Sequence, residues 1–247
     1  MKTEFKPYPK YRDSGIPSAG MIPQHWETKP MRSLFSFSKG LSITKEDLRE
    51  EGVPCVNYGE VHSKYGFRVN PRVNPLKCVA PDYLTTHPYA ALTEGDFVFA
   101  DTSEDIEGSG NFTRLEGDSV AFAGYHTIIA RPSSHMCSLF LAYEVTSTAF
   151  RAQIRQQVKG IKVFSITQTM LKSLRCWLPP LHEMQAIAAY LAAETARIDE
   201  ILAQIGGKSL PVSEADEPEK SLASLLKEYR TSLIYEAVTG KIDLRAA

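Results

Sequence analysis

Residues 182–205 have the sequence HEMQAIAAYLAAETARIDEILAQI, which contains neither proline nor glycine and is rich in alanine. Apolar residues recur in alternating steps of three and four, interrupted only at Glu194. This spacing is typical of the buried seam of a coiled coil. It predicts a helix of roughly 36 Å, since each residue of an α-helix adds about 1.5 Å. The predicted seam residues are Met184, Ile187, Leu191, Ile198, Ile201 and Ile205.

A second helix is predicted over residues 221–238, and Gly240 follows it as a stop signal. The intervening stretch 206–220, GGKSLPVSEADEPEK, has two glycines, two prolines and four acidic residues. This composition predicts a flexible acidic loop. Its sequence allows the second helix either to fold back on the first or to diverge from it. The residues that repeat the heptad spacing in the second helix are Leu222, Leu225, Tyr229 and Leu233.

The first 180 residues have a different pattern. Residues 1–30 are rich in proline and aromatic residues, which predicts an extended arm lying on a domain. Residues 40–135 predict short strands separated by glycine and aspartate, the clearest strand being Phe97–Ala100. The S-x-x-Q sequence of residues 165–168 has the form of a capping box and predicts the start of a short helix. The fold class is therefore α+β, with a mixed α/β domain and a short twisted sheet over residues 1–180, followed by a long-helix coiled-coil region over residues 181–247.

The composition is that of an ordinary folded protein. The chain has 247 residues, a net charge of −1, 43% hydrophobic and 23% charged residues. These values exclude wholesale disorder and collagen-like or mucin-like chains. No apolar run reaches the ~18 residues that a membrane helix needs, and the N-terminus has no secretory pattern, so we expect a cytoplasmic protein. The four cysteines form no C-x-x-C pair, which makes a zinc ribbon an unfavourable interpretation.

Positive charge is concentrated in one stretch. Between Glu144 and Glu183 there is no acidic residue, but there are six Lys or Arg residues. Such a stretch inside a nearly neutral protein could bind phosphate, or it could be a solvated face neutralised by acids from elsewhere in the fold. Sequence patterns of common enzymes are missing, including G-x-S-x-G, the P-loop and H-E-x-x-H. We therefore expect neither a catalytic site nor a metal site.

Three stretches of sequence resemble the specificity subunits of type I restriction-modification enzymes. The first is the arm, from Tyr8 to Pro17 followed by Ile22-Pro-Gln-His-Trp26. The second is Leu178-Pro-Pro-Leu-His-Glu-Met-Gln-Ala-Ile-Ala-Ala-Tyr-Leu191, and the third is Ala237-Val-Thr-Gly-Lys-Ile-Asp-Leu-Arg245. Such subunits usually contain two target-recognition domains, each followed by a helix, and the two helices pair antiparallel. This chain resembles a half-length form, with one recognition domain over residues 1–180.

The resemblance implies a non-catalytic chain that binds one half of a split double-stranded DNA target. Its partners would be methyltransferase subunits, a restriction subunit, and either a second copy of itself or a second half-length specificity subunit. S-adenosylmethionine, ATP and magnesium are expected in the partner subunits and not in this chain. The predicted helices would then form the dimer seam, although packing of the long helix against the chain's own domain is the alternative.

Candidate DNA-binding residues follow from charge and from side-chain chemistry. The acid-free stretch supplies the phosphate candidates Arg151, Arg155, Lys159 and Lys162. Polar residues expected in exposed loops supply the base-reading candidates Asn57, Lys64, Arg68, Asn111, Arg114 and His126. Two other interpretations stay open, namely a coiled-coil adaptor that does not bind DNA and an enzyme with an unrecognised site.

Overall fold

The computed structural model describes residues 5–160, 163–205 and 221–245. The predicted loop 206–220 lies outside the described residues. The chain divides into two compact units. We call Met1–Glu27, Leu139–Ala149 and Trp177–Ala247 the helical unit, and Thr28–Ser138 and Phe150–Cys176 the sheet unit. The predicted boundary between a recognition domain (residues 1–180) and a coiled-coil region (residues 181–247) assigns a role to each part, and it stays a prediction.

Strands and helices have the following bounds in chain order. The strands are β1 (Tyr11–Asp13), β2 (Met21–Pro23), β3 (Glu27–Pro30), β4 (Phe35–Lys39), β5 (Val53–Val56), β6 (Phe67–Val69), β7 (Cys78–Val79), β8 (Ala91–Leu92), β9 (Phe97–Ala100), β10 (Thr102–Ser103), β11 (Phe112–Leu115), β12 (Ala121–Ala123), β13 (Thr127–Pro132), β14 (Phe164–Ser165) and β15 (Arg175–Leu178). The α-helices are α1 (Tyr83–Thr86), α2 (Ser138–Thr146), α3 (Thr148–Gln157), α4 (Gln168–Ser173), α5 (Leu181–Ile205) and α6 (Leu222–Val238).

The sheet unit is built on a mixed five-stranded sheet with the order β4-β13-β9-β11-β6. Neighbouring strands are antiparallel except β11 and β6, which are parallel. A four-stranded sheet, β7-β5-β12-β8, pairs β5 and β12 in parallel. Buried apolar side chains from both sheets form one core cluster, among them Val98, Leu115, Val56 and Phe122. The predicted α+β class and mixed sheet are confirmed.

Most predicted elements are present, but the predicted capping box is wrong. Ser165 lies in β14, and α4 begins two residues later than the prediction required. The side chain that caps α4 is that of Thr167, which accepts a hydrogen bond from the Met170 amide at 3.2 Å. Thr167 has the extended backbone that an N-cap needs, whereas Ser165 pairs with Thr102 in the β10–β14 ladder.

The helical unit contains both predicted long helices. The predicted ranges 182–205 and 221–238 agree with α5 and α6 to within one residue at each end. Ser221 caps α6 by accepting a hydrogen bond from the Ser224 amide at 3.2 Å. The two helices contact each other, and Arg230 lies 3.5 Å from Asp199 across them. Of the two arrangements that the sequence allowed, the second helix therefore folds back on the first.

A buried carboxylate connects the arm to the first turn of α5. Glu183 is only 3% exposed. Its Oε2 accepts hydrogen bonds from the Tyr8 hydroxyl at 3.2 Å and from the Trp26 indole at 3.0 Å. His25 Nε2 lies 2.7 Å from its Oε1. Burial, and then the charge of Glu183, raise the pKa of Tyr8, which keeps that hydroxyl a proton donor.

The end of the chain joins the same cluster. The Arg245 guanidinium lies 4.9 Å from the centre of the Tyr8 ring and is hydrogen-bonded to Asp243. Those hydrogen bonds hold the pKa of Asp243 below its usual range. Tyr11 donates its hydroxyl proton to the Gly240 carbonyl at 2.9 Å. Each of the three stretches that carry the resemblance therefore contributes to one packed assembly.

Gly240 occupies a position that no other residue would fit. Its φ is +67°, a left-handed conformation that side chains disfavour. A Cβ atom there would lie 2.4 Å from ring atoms of Pro23. The stop signal of the second helix is thus also a point where the end of the chain packs closely against the arm.

We predict that Glu183→Gln lowers the free energy of unfolding by about 2–4 kcal/mol, because an amide cannot accept all the hydrogen bonds that the carboxylate accepts. Urea denaturation measures the change. Glu194→Gln is the matched control, since Glu194 lies on the same helix and pairs with exposed Arg197 at 3.0 Å. That surface pair should contribute about 0–1 kcal/mol. Equal losses in the two variants would contradict a special role for Glu183.

Candidate nucleic-acid interface

The four predicted phosphate contacts differ in placement. Arg155 and Lys159 are exposed, and Arg151 is partly buried. Lys162 lies outside the described residues. Arg151 donates to Asn111 Oδ1 at 2.9 Å and to the Glu107 carbonyl at 2.5 Å. Its guanidinium is therefore engaged in holding the loop before β11.

Burial, and then the nearby charge of Arg155, lower the pKa of Arg151 to about 10. The group still carries its charge at neutral pH, but burial restricts its access to a ligand. Arg155 and Lys159 are the predicted phosphate contacts that the described structure leaves exposed. All four assignments stay predictions, with Arg155 and Lys159 the better placed.

Two of the six base-reading candidates are not exposed, so the expectation of exposed loop positions is wrong for them. Asn57 is 1% exposed, and its amide donates to the Cys55 carbonyl at 3.3 Å. Its Oδ1 lies where a Cβ atom of Gly124 would be, which ties it to a close approach of β5 and β12. Arg114 lies on the inner strand β11 and is 5% exposed.

The other candidates lie at or near the surface. Lys64 and Arg68 are exposed, and Lys64 pairs with Glu60 at 3.5 Å. His126 is exposed and has a φ of +55°, with Nδ1 3.3 Å from Asp101. Asn111 is half-buried, and its Oδ1 accepts a hydrogen bond from Arg151. Asn111 therefore lies beside Arg151, and Arg68 is paired with Arg114 across β6 and β11. The structure does not bring all the candidates together in one site.

Arg114 and Arg68 meet through a residue that sequence reasoning missed. Glu116 Oε1 accepts a hydrogen bond from Arg114 at 2.9 Å, and its Oε2 lies 3.7 Å from Arg68. Arg114 and Arg68 are paired across β11 and β6, so their side chains leave the same face of the sheet. Arg114 lies on β11, and Glu116 lies two residues further on, directly after the strand ends. Side chains two residues apart in an extended chain point to the same face, and this spacing was the available sequence signal.

An acidic loop also lies in this unit. Burial, and then the charges of Glu104, Asp105 and Asp101, raise the pKa of Tyr58. The Tyr58 ring stacks on His62 at 5.1 Å between centres. Negative charge beside this aromatic pair repels phosphate. This aromatic pair is therefore a poor place for a phosphate contact.

The predicted seam is largely covered within this one chain. Met184, Ile187, Leu191 and Ile198 are buried, Ile205 is half-buried, and Ile201 is exposed. Apolar exposure lies instead on the first half of α6. The exposed side chains there are Leu222, Leu225 and Tyr229, spaced three and four residues apart. A contact between two copies stays a prediction, and its better-placed residues are these three and Ile201.

Other kinds of site find little support in the part of the chain that the structure describes. No group of three or more His, Cys, Asp or Glu side chains there is arranged to hold a metal ion. The four cysteines are free, and burial raises the pKa of Cys55 to about 12. Among the described helices, none combines the length and hydrophobicity that a membrane crossing requires.

The sequence and the fold are similar to those of one class of protein, the specificity subunits of type I restriction enzymes. The EcoKI specificity subunit of Escherichia coli K12 is 22% identical over 233 residues, which are 91% of this chain and 45% of that subunit. The MjaVIII specificity subunit of Methanocaldococcus jannaschii is 23% identical over 175 residues, 70% of this chain and 40% of that subunit. No protein-family model matches the chain.

Solved structures share the fold. The HsdS subunit of Thermoanaerobacter tengcongensis superposes with a TM-score of 0.54 at 15% identity, covering 90% of this chain and 46% of that one. A structure from a study of complex assembly in a type I restriction-modification system gives 0.52 at 16% identity, covering 90% and 47%. The resemblance to type I specificity subunits is confirmed. The chain spans about half the length of the relatives it matches, consistent with a half-length form, and the names of those relatives agree with the expectation of a non-catalytic subunit.

We predict that Arg155→Ala combined with Lys159→Ala weakens binding to all DNA sequences alike, because phosphate contacts carry no sequence information. The slope of log K against log salt should become shallower by about 1 for each phosphate that the variant no longer neutralises. Fluorescence anisotropy at several salt concentrations measures it. The control with the same charge change is Lys45→Ala with Arg49→Ala, on the same sheet unit. If the slope of the Arg155 and Lys159 variant were unchanged, these two residues would not contact the DNA.

Proposed function

We propose that this chain is the DNA-specificity subunit of a type I restriction-modification system, binding one half of a bipartite target. The observation that carries the proposal is similarity to specificity subunits over 91% of the chain, together with the shared fold. In the proposal, exposed Arg155 and Lys159 contact phosphates. Exposed Arg68, with Glu116 and Arg114 beside it, belongs to the surface that reads the bases. Binding directs methyltransferase and restriction subunits, which carry S-adenosylmethionine, ATP and magnesium. The proposed location is the cytoplasm.

Two copies of the chain would form the complete reader. The chain matches 45% of the EcoKI specificity subunit, so a second half is needed to complete the same architecture. The exposed stripe of Leu222, Leu225 and Tyr229 on α6 supports a second helix as its cover. A stripe of this kind is commonly buried between helices. A two-fold pair of identical chains would bury it on both copies at once.

The experiment for this function is methylome sequencing of cells in which this chain is the only specificity subunit beside its methyltransferase. Two identical readers related by a two-fold axis should select inverted half-sites separated by an unread spacer. We therefore expect a split palindrome. An asymmetric bipartite motif would contradict the homodimer and require a different second reader. No motif, together with no salt-dependent DNA binding by the purified chain, would favour the coiled-coil adaptor.

The dimer contact has its own test in the α6 stripe. Leu225→Lys with Tyr229→Lys should abolish association, because each copy would bury an unpaired charge. Thr231→Lys is the control, since Thr231 is exposed on the same helix but outside the stripe. Light scattering measures mass, and urea denaturation checks folding. Leu191 and Ile198 are unsuitable for this test because both are buried within the chain. A monomeric wild type at high concentration would contradict the proposal.

A further inference from the structure

Two arginines share one carboxylate at the edge of the five-stranded sheet. Arg114 on β11 donates to Glu116 Oε1 at 2.9 Å. Arg68 on the edge strand β6 has its Nη1 3.7 Å from Glu116 Oε2. The three groups carry a net charge of one positive unit. They have very different access to solvent, and that difference separates their roles.

Arg114 is an internal anchor. Its side chain is 6% exposed, against 64% for Arg68 and 35% for Glu116. It extends from a strand that pairs with β9 on one side and β6 on the other, directly opposite Phe97. Among the described residues, its Nε has no hydrogen-bond partner, so Glu116 is the group that compensates its buried charge. Arg114 therefore fixes the position of Glu116 and cannot itself reach a ligand.

The backbone at Arg68 is also fixed. The preceding residue, Phe67, has a φ of +69°, which is a strained conformation for a bulky side chain. Its ring contacts Phe112 at 6.5 Å between centres. Parallel pairing then sets Phe67, Arg68 and Val69 against Thr113, Arg114 and Leu115. Arg68 thus projects toward solvent from a backbone held by pairing and packing, with the Glu116 carboxylate 3.7 Å away.

We infer that Arg68 determines specificity by reading a guanine in the half-site, with Glu116 and Arg114 as its positioning residues. The inference rests on the proposed function. A carboxylate beside an arginine weakens phosphate binding, because it repels the phosphate and cancels positive charge. The ion pair at 3.7 Å instead draws the planar guanidinium toward the side of the strand on which Glu116 lies. Direction matters for the two parallel hydrogen bonds from arginine to guanine O6 and N7.

A neighbouring arginine provides the contrast. Arg72 is 67% exposed and pairs at 2.8 Å with Asp118, which is 72% exposed. Both members of that pair extend into solvent, and Asp118 has no buried arginine comparable to Arg114 among its described ion-pair partners. Removing Arg72 changes the charge of this region as much as removing Arg68 does. Arg72→Ala is therefore the matched control.

The experiment is selection from randomised DNA duplexes by the purified full chain, alone and with the methyltransferase subunits of its system. The wild type should enrich a half-site that contains a G·C pair. Arg68→Ala should lose discrimination at one G·C position by about 5- to 150-fold, the usual range for a bidentate contact, and keep the rest of the motif. Arg68→Lys should lose part of the same discrimination, because a flexible ammonium lacks the rigid planar fork that makes two parallel hydrogen bonds. Arg72→Ala should keep the whole motif.

The positioning role has a separate measurement. Glu116→Gln should reduce discrimination at the same G·C position, and the double variant Arg68→Ala with Glu116→Gln should be no worse than Arg68→Ala there. Urea denaturation shows whether Glu116→Gln folds, since it leaves Arg114 without its compensating charge. If it does not fold, Glu116→Asp, which keeps the charge, replaces it and should show the same position-specific loss.

Opposite outcomes are equally defined. If Arg68→Ala weakens all sequences alike and leaves the motif unchanged, Arg68 contacts phosphate and the inference is wrong. Equal losses at the same position in Arg68→Ala and Arg72→Ala would remove any role for the buried anchor. Additive losses in the double variant would show that Glu116 does not act through Arg68. A wild type that enriches no motif would instead contradict the proposed function itself.

Discussion

The helical unit depends on the buried carboxylate of Glu183. A carboxylate that is 3% exposed would be costly without partners, and here the Tyr8 hydroxyl and the Trp26 indole donate to it, with His25 in contact. Its place in the first turn of α5 adds the favourable field of the helix N-terminus. One side chain therefore joins two distant parts of the chain. The arm can lie only where these donors reach the carboxylate.

This constraint was not visible in the sequence. The spacing of apolar residues predicted α5 to within one residue, because helix periodicity depends on local sequence. The same reasoning leaves Glu183 as an ordinary acidic residue near a helix start. Its partners lie 157 to 175 residues away, so no local pattern connects them. The three stretches that carry the resemblance contact one another in the helical unit, and these contacts are a physical reason that they occur together.

The expected exposure of two predicted site residues is wrong, while the DNA-binding assignments themselves stay predictions. Asn57 and Arg114 were chosen as polar residues in exposed positions, but both are buried inside the sheet unit, Asn57 directly after β5 and Arg114 on β11. Arg155, Lys159 and Arg68 are exposed as expected. Most seam residues of α5 are buried within the chain, whereas the first half of α6 leaves Leu222, Leu225 and Tyr229 exposed. Periodicity identifies an apolar face, but not which surface covers it.

The two units also separate the stretches that carry the resemblance from the predicted DNA-binding residues. The stretches that resemble type I specificity subunits lie in the helical unit, where Glu183, Gly240 and Trp26 are each fixed by close packing. Every predicted DNA-binding residue that the structure describes lies in the sheet unit. Residues fixed by mutual packing tolerate little change, whereas an exposed arginine such as Arg68 can be replaced without loss of the core. In the proposed function, this separation allows the reading surface to change its target while the helical unit keeps its own packing.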